Sequence, residues 1–292
     1  MKITFDTSAF AESGMSFQEV YDKVASIGYE YISPYDPIFP GFWRRPKATK
    51  SQIMWHKKAI ADAGLKIAAL TTGFYIADPD EFMRSCAVEH WKRMFEIAEM
   101  MDVKNFNTEL GGDINQPARC EEMLLKSLDE LVPIMEKRGI RMDVQAHPFD
   151  FLETSNETCD IMRSYDSPSL AYLYAIPHTF HYDNGKGDVA GMLKYAGETL
   201  KHIIVADTWD YTKKFRYNVN PPSANVRCHA HIGNIGEGDV NWEACFSTLR
   251  EMGFGQAQDT IATFNPLGFP ELAEKDGRHV LKTLTEELIN KR

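Results

Sequence analysis

The sequence predicts a single (β/α)8 TIM barrel, and three observations carry the prediction. The 292 residues suit one closed α/β unit, since such barrels run to about 250 residues as one domain. The apolar pattern switches eight times from a short β-type run to a longer helical stretch. The first strand-to-helix turn, Asp6-Thr7-Ser8-Ala9-Phe10, lacks the glycine-rich fingerprint of a doubly wound dinucleotide fold. No low-complexity run or Pro/Ser-rich linker interrupts the chain, so one domain over 1–292 is expected.

The elements follow in order. Lys2–Phe5 reads as a strand; Ser16 can cap a helix whose Phe17, Val20, Tyr21, Val24 and Ile27 share one face, and Gly28 stops it. A strand begins at Tyr29 and runs to Ser33. A helix over Ser51–Ala63 ends at Gly64, followed by a strand at Lys66–Thr71, a helix at Ala87–Met101 and a strand at Lys104–Leu110. The next helix, Cys120–Lys137, contains Pro133, which predicts a kink, and ends at Gly139. Strands are then expected at Arg141–Gln145, Leu170–Ile176, His202–Asp207 and Ala257–Thr263. The intervening and final helices are placed at Asn156–Ser164, Val189–Leu200, Trp242–Met252 and Asp276–Lys291. The segment 208–228 is left as a long, lid-like loop with Lys213, Lys214, Arg216, Arg227 and two prolines.

Composition excludes several classes. A net charge of −10 repels phosphate backbones and anionic headgroups, so neither nucleic acid nor membrane is an expected partner. No stretch approaches the roughly 18 apolar residues of a spanning helix, and the N-terminus lacks signal-peptide features, which predicts a cytoplasmic protein. Five scattered cysteines without a CxxC pair fit a reducing compartment rather than a disulfide framework.

In a barrel, chemistry sits where the strands end. Those ends read Asn107-Thr108-Glu109, Gln145-Ala146-His147, Pro177-His178, Asp207-Thr208 and His229-Ala230-His231. Carboxylates and imidazoles from neighbouring strands can converge on a divalent cation and polarise a carbonyl beside a hydroxyl. The bland alternative, histidines that merely satisfy backbone carbonyls, weakens when so many titratable groups cluster at one end. Gly233, Gly236 and Gly238 let the chain turn tightly after His231, but without GK[ST] they do not make a Walker motif.

The stretches FNTELGGD, HPFDF, PHTFHYDNG, HIIVADT, RYNVNPP and HAHIGNIGEGDVNW together resemble the xylose-isomerase-like barrels grouped as sugar phosphate isomerases and epimerases. The likeness covers essentially the whole chain and looks closest to the subgroup of the inositol-catabolism barrel and the α subunits of C-glycoside deglycosidases. Most epimerases of this kind hold a metal with Glu, Asp, His and Glu at the ends of strands five to eight. The matching positions here are Gln145, Ala175, Ile204 and a residue near Ile261. The usual four-ligand site is therefore absent, and a shifted, histidine-rich one is expected. In related abasic-site endonucleases, positions resembling His178 and His231 help hold an additional metal.

The resemblance and the strand ends together give these expectations. Glu109, His178, His229 and His231 hold a divalent metal, Mn2+ first, with Mg2+ or Zn2+ as alternatives. His147 is the base, chosen because imidazole titrates near neutral pH, with Asp207 as its acid/base partner. Gln145, His202, Arg216 and Asn220 bind substrate. Tyr35, Phe39, Phe42 and Trp43 could cover a flat aglycone, or pack on their own loop. The implied reaction is a metal-dependent β-elimination from a 3-oxo sugar or C-glycoside, the chain being the catalytic subunit beside a small β-rich partner in an oligomer. The alternatives are a keto-sugar or inosose isomerase or epimerase, and a degenerate barrel without turnover.

Overall fold

The computed structural model describes residues 1–11, 13–35, 48–148, 150–179, 188–209, 231–266 and 270–291. Its strands are β1 Lys2–Asp6, β2 Tyr31–Ser33, β3 Lys66–Ile67, β4 Leu70–Thr71, β5 Asn105–Thr108, β6 Arg141–Gln145, β7 Leu170–Ala175, β8 Leu200–Val205 and β9 Ile261–Phe264. All the pairings are parallel, in the order β3-β2-β1-β9-β8-β7-β6-β5-β4. The two ends of that order, β3 and β4, are consecutive in the chain. Together they cover the single strand expected at Lys66–Thr71, broken at Ala68-Ala69, so the sheet closes through the chain itself. The barrel thus has eight staves, one of them in two pieces.

The helices wrap this sheet. They are α1 Phe17–Ile27, α2 Lys50–Asp62, α3 Glu81–Met100, α4 Pro117–Arg138, α5 Ser155–Ser164, the single turn α6 Ile176–Thr179, α7 Val189–Ala196, α8 Trp242–Glu251 and α9 Pro270–Leu284. The predicted capping of α1 is complete: Ser16 accepts from the Glu19 N–H while the Glu19 carboxylate accepts from the Ser16 N–H, and Gly28 closes the helix at φ 111°. Two helices start about a turn and a half before the expected residue. Asp80 caps α3 by accepting from the Met83 N–H, and Pro270 opens α9, since a missing N–H costs nothing in a first turn. Helix α4 runs through Pro133.

Apolar faces of the helices meet the outer face of the sheet. Trp91 and Phe95 of α3 pack on Phe106 of β5 with ring centroids 5.2 and 5.8 Å apart, all three nearly fully buried. Burial of such rings dominates core energetics. Inside the barrel, Leu173, Ala175 and Ile204 form a separate small apolar cluster. Among the described residues no helix is long and apolar enough to cross a membrane. The described cysteines, Cys86, Cys120, Cys159 and Cys245, are free thiols.

Candidate active site

The C-terminal ends of the strands enclose a cavity of about 220 Å³ lined by Tyr35, Thr71, Thr72, Asn107, Thr108, Glu109, Gln145, His147, His178, Ile204, His231 and Asn265. A larger cleft of about 680 Å³ lies elsewhere, around Arg141, Lys201 and Asp259. It belongs to the opposite end of the strands, where barrel conservation of structure rather than chemistry is expected. The smaller cavity is the candidate site because the strand-end polar groups meet there.

Two pairs define it. His147, just beyond β6, directs Nδ1 at the Pro148 carbonyl at 2.8 Å and Nε2 at Glu109 Oε2 at 3.2 Å. With Nδ1–H donating to the carbonyl, the neutral ring presents a bare Nε2 lone pair to a carboxylate, a contact that calls for a positive charge, a proton or a metal ion, between them. Burial pushes the imidazole down to about 4, partly offset by the Pro148 contact and Glu153. The expectation of a base titrating near neutrality is therefore corrected: His147 is neutral at pH 7 because its surroundings disfavour the cation. The second pair is His178, on α6 directly after β7, and His231, whose Nε2 atoms lie 2.8 Å apart. His231 Nδ1 points at the Asn265 carbonyl at 2.8 Å. The His147 and His178 rings meet edge to face, centroids 4.8 Å apart, which joins the two pairs.

Sequence reasoning missed several neighbours. Tyr75 donates its hydroxyl to Glu109 Oε1 at 3.1 Å. Asp150 accepts from the Gly111 N–H at 2.8 Å and lies 3.9 Å from His147 Nδ1. Burial, then the Glu109 and Glu153 carboxylates, push Asp150 up to about 8 against the Gly111 bond. Asp6, at the end of β1, is pushed up to about 6 by burial, although Ser8, Thr71 and Asn265 hydrogen-bond to it. The HPFDF stretch holds Asp150 three residues after His147, a spacing visible in the sequence, but only the fold shows that both face Glu109.

Other expected residues are placed differently. Asp207 is fully buried and does not line the cavity. Its carboxylate accepts from the backbone N–H groups of Thr208, Gly236 and Val240 and from Trp242 Nε1, at 2.8 to 3.3 Å. It organises the glycine loop, with Gly236 at φ 89°, instead of meeting substrate as an acid/base. His202 is likewise fully buried, bonded to Asp143 at 3.0 Å and Thr263 at 2.6 Å inside the lumen, so the structure does not bring it to substrate. Burial lowers its basicity despite Asp143. Burial alone would raise Asp143; Arg141 and His202 outweigh that and hold its carboxyl below the ordinary range. His229, Arg216, Asn220, Phe39, Phe42, Trp43 and nearly all of the expected 208–228 lid lie outside the described residues.

The donor set of Glu109, His178 and His231 has the chemistry of a divalent site. A Nδ1 anchored on a backbone carbonyl, as in His231, is the usual support that orients a metal-ligating Nε2. The atoms now touch in pairs, and among the described residues no group of three His, Cys, Asp or Glu is already spaced around one point. A cation would have to part these contacts.

Residues 21–284 match the model of the xylose isomerase-like TIM barrel family. The chain belongs to that family. Among curated protein sequences none matches it. Solved structures of the same fold include the 3-keto-D-glucoside 4-epimerase of E. coli, 16% identical over 98% of this chain and 99% of that one, with a TM-score of 0.71. The probable 3-DHS dehydratase of Bacillus anthracis shares 16% over 98% and 99%, with a TM-score of 0.72. The IOLI protein, solved with a bound zinc atom, shares 16% over 99% and 100%, with a TM-score of 0.73. At these identities the likeness establishes the family's fold, and function has to be argued from the site.

Proposed function

We propose that this chain is a sugar-modifying enzyme that removes a proton next to the carbonyl of an oxidised sugar. The observation that carries the reading is the facing of Glu109–His147 by His178–His231 around one cavity at the catalytic end of the barrel. The Glu109–His147 pair takes the proton, which the two bare lone pairs can share. The enolate left behind places its charge on the former carbonyl oxygen, where the N–H held between His178 and His231 is the donor in reach. Held by Glu109, His178 and His231, a divalent metal, Mn2+ before Mg2+ or Zn2+, would take the place of that shared N–H and supply the polarisation of the carbonyl itself. The zinc of the IOLI protein supports such a cofactor in this fold.

Return of the proton to another carbon, or to the opposite face, gives isomerisation or epimerisation. When a leaving group sits β to the carbonyl, the enolate electrons expel it instead and the histidine pair protonates it. We favour that elimination, on a 3-oxo-glycoside, with this chain as catalytic subunit beside a small β-rich partner. The apolar Ala175 and Ile204, standing where epimerases of this kind place two ligands, support it, as does a dehydratase among the proteins of this fold. The keto-glucoside epimerase supports the isomerising alternative. A site of 220 Å³, below the roughly 300–1,000 Å³ of drug-sized pockets, suits one sugar ring and leaves an aglycone outside it. Residues 1–292 are read as one catalytic domain of a cytoplasmic protein.

The test is conversion of 3-oxo-glucose and 3-oxo-C-glucosides, followed by NMR with and without Mn2+ or Zn2+. Conversion by wild type that falls about 100-fold or more in Glu109→Gln supports the reading. Absence of conversion under every metal condition contradicts it and leaves the barrel without turnover, whereas conversion that Glu109→Gln does not impair contradicts the role given to Glu109.

A further inference from the structure

Buried polar atoms in folded proteins are almost always hydrogen-bonded, so those that are not call for an explanation. Among the described residues, Thr72 Oγ1, Gln145 Oε1 and Asn265 Oδ1 are buried without a hydrogen-bond partner, and all three residues line the 220 Å³ cavity. The residues are 1%, 8% and 7% exposed. They come from three separate staves: Thr72 after β4, Gln145 closing β6 and Asn265 after β9.

The two amides are oriented by their other ends. Gln145 Nε2 donates to Asn107 Oδ1 at 3.2 Å, and the Asn265 side chain hydrogen-bonds to Asp6, which as a carboxylate accepts from the amide N–H. With each NH2 so engaged, flipping either amide would break a bond, and each carbonyl oxygen is left as an acceptor. Leaving such oxygens dry costs about 1–3 kcal/mol each, so a fold that keeps three of them around one cavity is built to receive donors. Hydroxyl groups are neutral donors of the right reach. The cavity lining holds no Lys or Arg among the described residues, and it contains the carboxylate of Glu109. In the metal-free protein a phosphate would bring acceptors to acceptors and negative charge to negative charge.

We propose that Thr72, Gln145 and Asn265 form a hydroxyl-reading set that selects unphosphorylated ring sugars or cyclitols and excludes their phosphate esters. The inference rests on the sugar-enzyme reading for the identity of the site but not on turnover. A neutral polyol sits with three hydroxyl groups on the three oxygens, which turns the reacting carbon toward Glu109–His147. Thr72 serves as donor or acceptor, while Gln145 and Asn265 accept only, so the set is selective for free hydroxyls over ethers at two positions.

Isothermal titration of the full chain with D-glucose, D-fructose and myo-inositol, against glucose 6-phosphate and fructose 6-phosphate, tests it. At least one neutral ligand is expected to bind, with the 6-phosphates about tenfold or more weaker. Thr72→Val, Asn265→Leu and Gln145→Met are each expected to weaken the neutral ligand about fivefold to tenfold, the loss of one net hydrogen bond. Thr72→Ser, which keeps the hydroxyl, should restore affinity. Deoxy analogues titrated into wild type give the same reading without any variant: at least two single deletions must weaken binding. Phosphate esters that bind as tightly as the neutral sugars, failure of all five ligands to bind at millimolar concentration, or folded variants that bind like wild type would overturn the proposal. Binding that follows these rules in a protein without turnover would sustain it while removing the enzymatic reading.

Discussion

Replacing Asp207 by Ala separates a structural anchor from a catalytic acid. In the folded chain the carboxylate receives N–H groups from Thr208 at 2.8 Å, Gly236 at 2.8 Å, Val240 at 3.3 Å and Trp242 Nε1 at 2.8 Å. Gly236 is exposed and can turn to water, whereas Thr208, Val240 and Trp242 are buried. Three buried donors without an acceptor cost about 1–3 kcal/mol each. Water entering the vacated space and release from burying a carboxylate offset part of that, for a net loss of about 3–4 kcal/mol. At about 2–4 °C per kcal/mol for chains of this size, the midpoint should fall by about 10 °C. Thermal and urea unfolding followed by circular dichroism would measure it. Asp207→Asn keeps one acceptor oxygen but turns an N–H toward the loop donors, so it should fall between Ala and wild type. A variant within 1 kcal/mol of wild type that has nonetheless lost activity would refute the reasoning, because only a carboxylate acting on substrate behaves that way.

Other outcomes follow from the same geometry. Asp150 sits above its ordinary 3.8 at about 8 in the fold, so the folded state holds its proton longer than the unfolded one. The linked stability is complete below pH 3.8 and is lost as pH rises through 8. Asp150→Asn should therefore be more stable than wild type by several kcal/mol above pH 8 and equal to it near pH 4, read from urea midpoints. His147 has the opposite sign: lowered from 6.5 to about 4, it costs stability progressively as pH falls from 6.5 to 4, and His147→Phe should flatten that slope in the same titration. Gly111→Ala, at φ 70°, would drive a Cβ into the Tyr75 ring and so disturb the hydroxyl that meets Glu109. Its expected signature is a tenfold or greater loss of kcat together with about 1–3 kcal/mol of stability, checked by steady-state kinetics and melting. His202→Ala takes one partner each from Asp143, which keeps Arg141, and from Thr263, costing about 1–3 kcal/mol, yet should leave sugar affinity by titration calorimetry unchanged.

The barrel was legible because local signals agree with the global arrangement. The Ser16 cap and the glycines at 28 and 139 mark helix ends that the structure reproduces, and the strand at Arg141–Gln145 coincides with β6. The helix starts at Glu81 and Pro270 were missed because Asp80, which caps the first helix, and Pro270, which opens the other, were not read as start signals. The break between β3 and β4 falls on two alanines, which fit a strand or a bend equally well. At the site, strand order alone brought Glu109, Gln145, His147, His178 and His231 to one end. Whether a polar residue near a strand end faces substrate depends on pleat and stagger. His202, expected at the substrate, proves to be paired with Asp143 in the buried lumen. Asp207 lies just past the end of β8, where a backbone bridge to Ile232 holds it away from the cavity. Tyr75 went unnoticed because its partner Glu109 is distant in sequence, and Asp150 because two of the groups that set its chemistry, Gly111 and Glu109, come from another strand end.

The central claim is proton removal by the Glu109–His147 pair, and solvent exchange tests it most directly. A keto-sugar such as 3-oxo-glucose is incubated with enzyme in deuterium oxide and the carbon next to the carbonyl is watched by NMR, whether or not product forms. The account predicts deuterium uptake at that carbon that falls by about 100-fold or more in Glu109→Gln and His147→Phe while both variants still bind sugar. Uptake no faster than the enzyme-free control, or uptake that both variants retain in full, would contradict it.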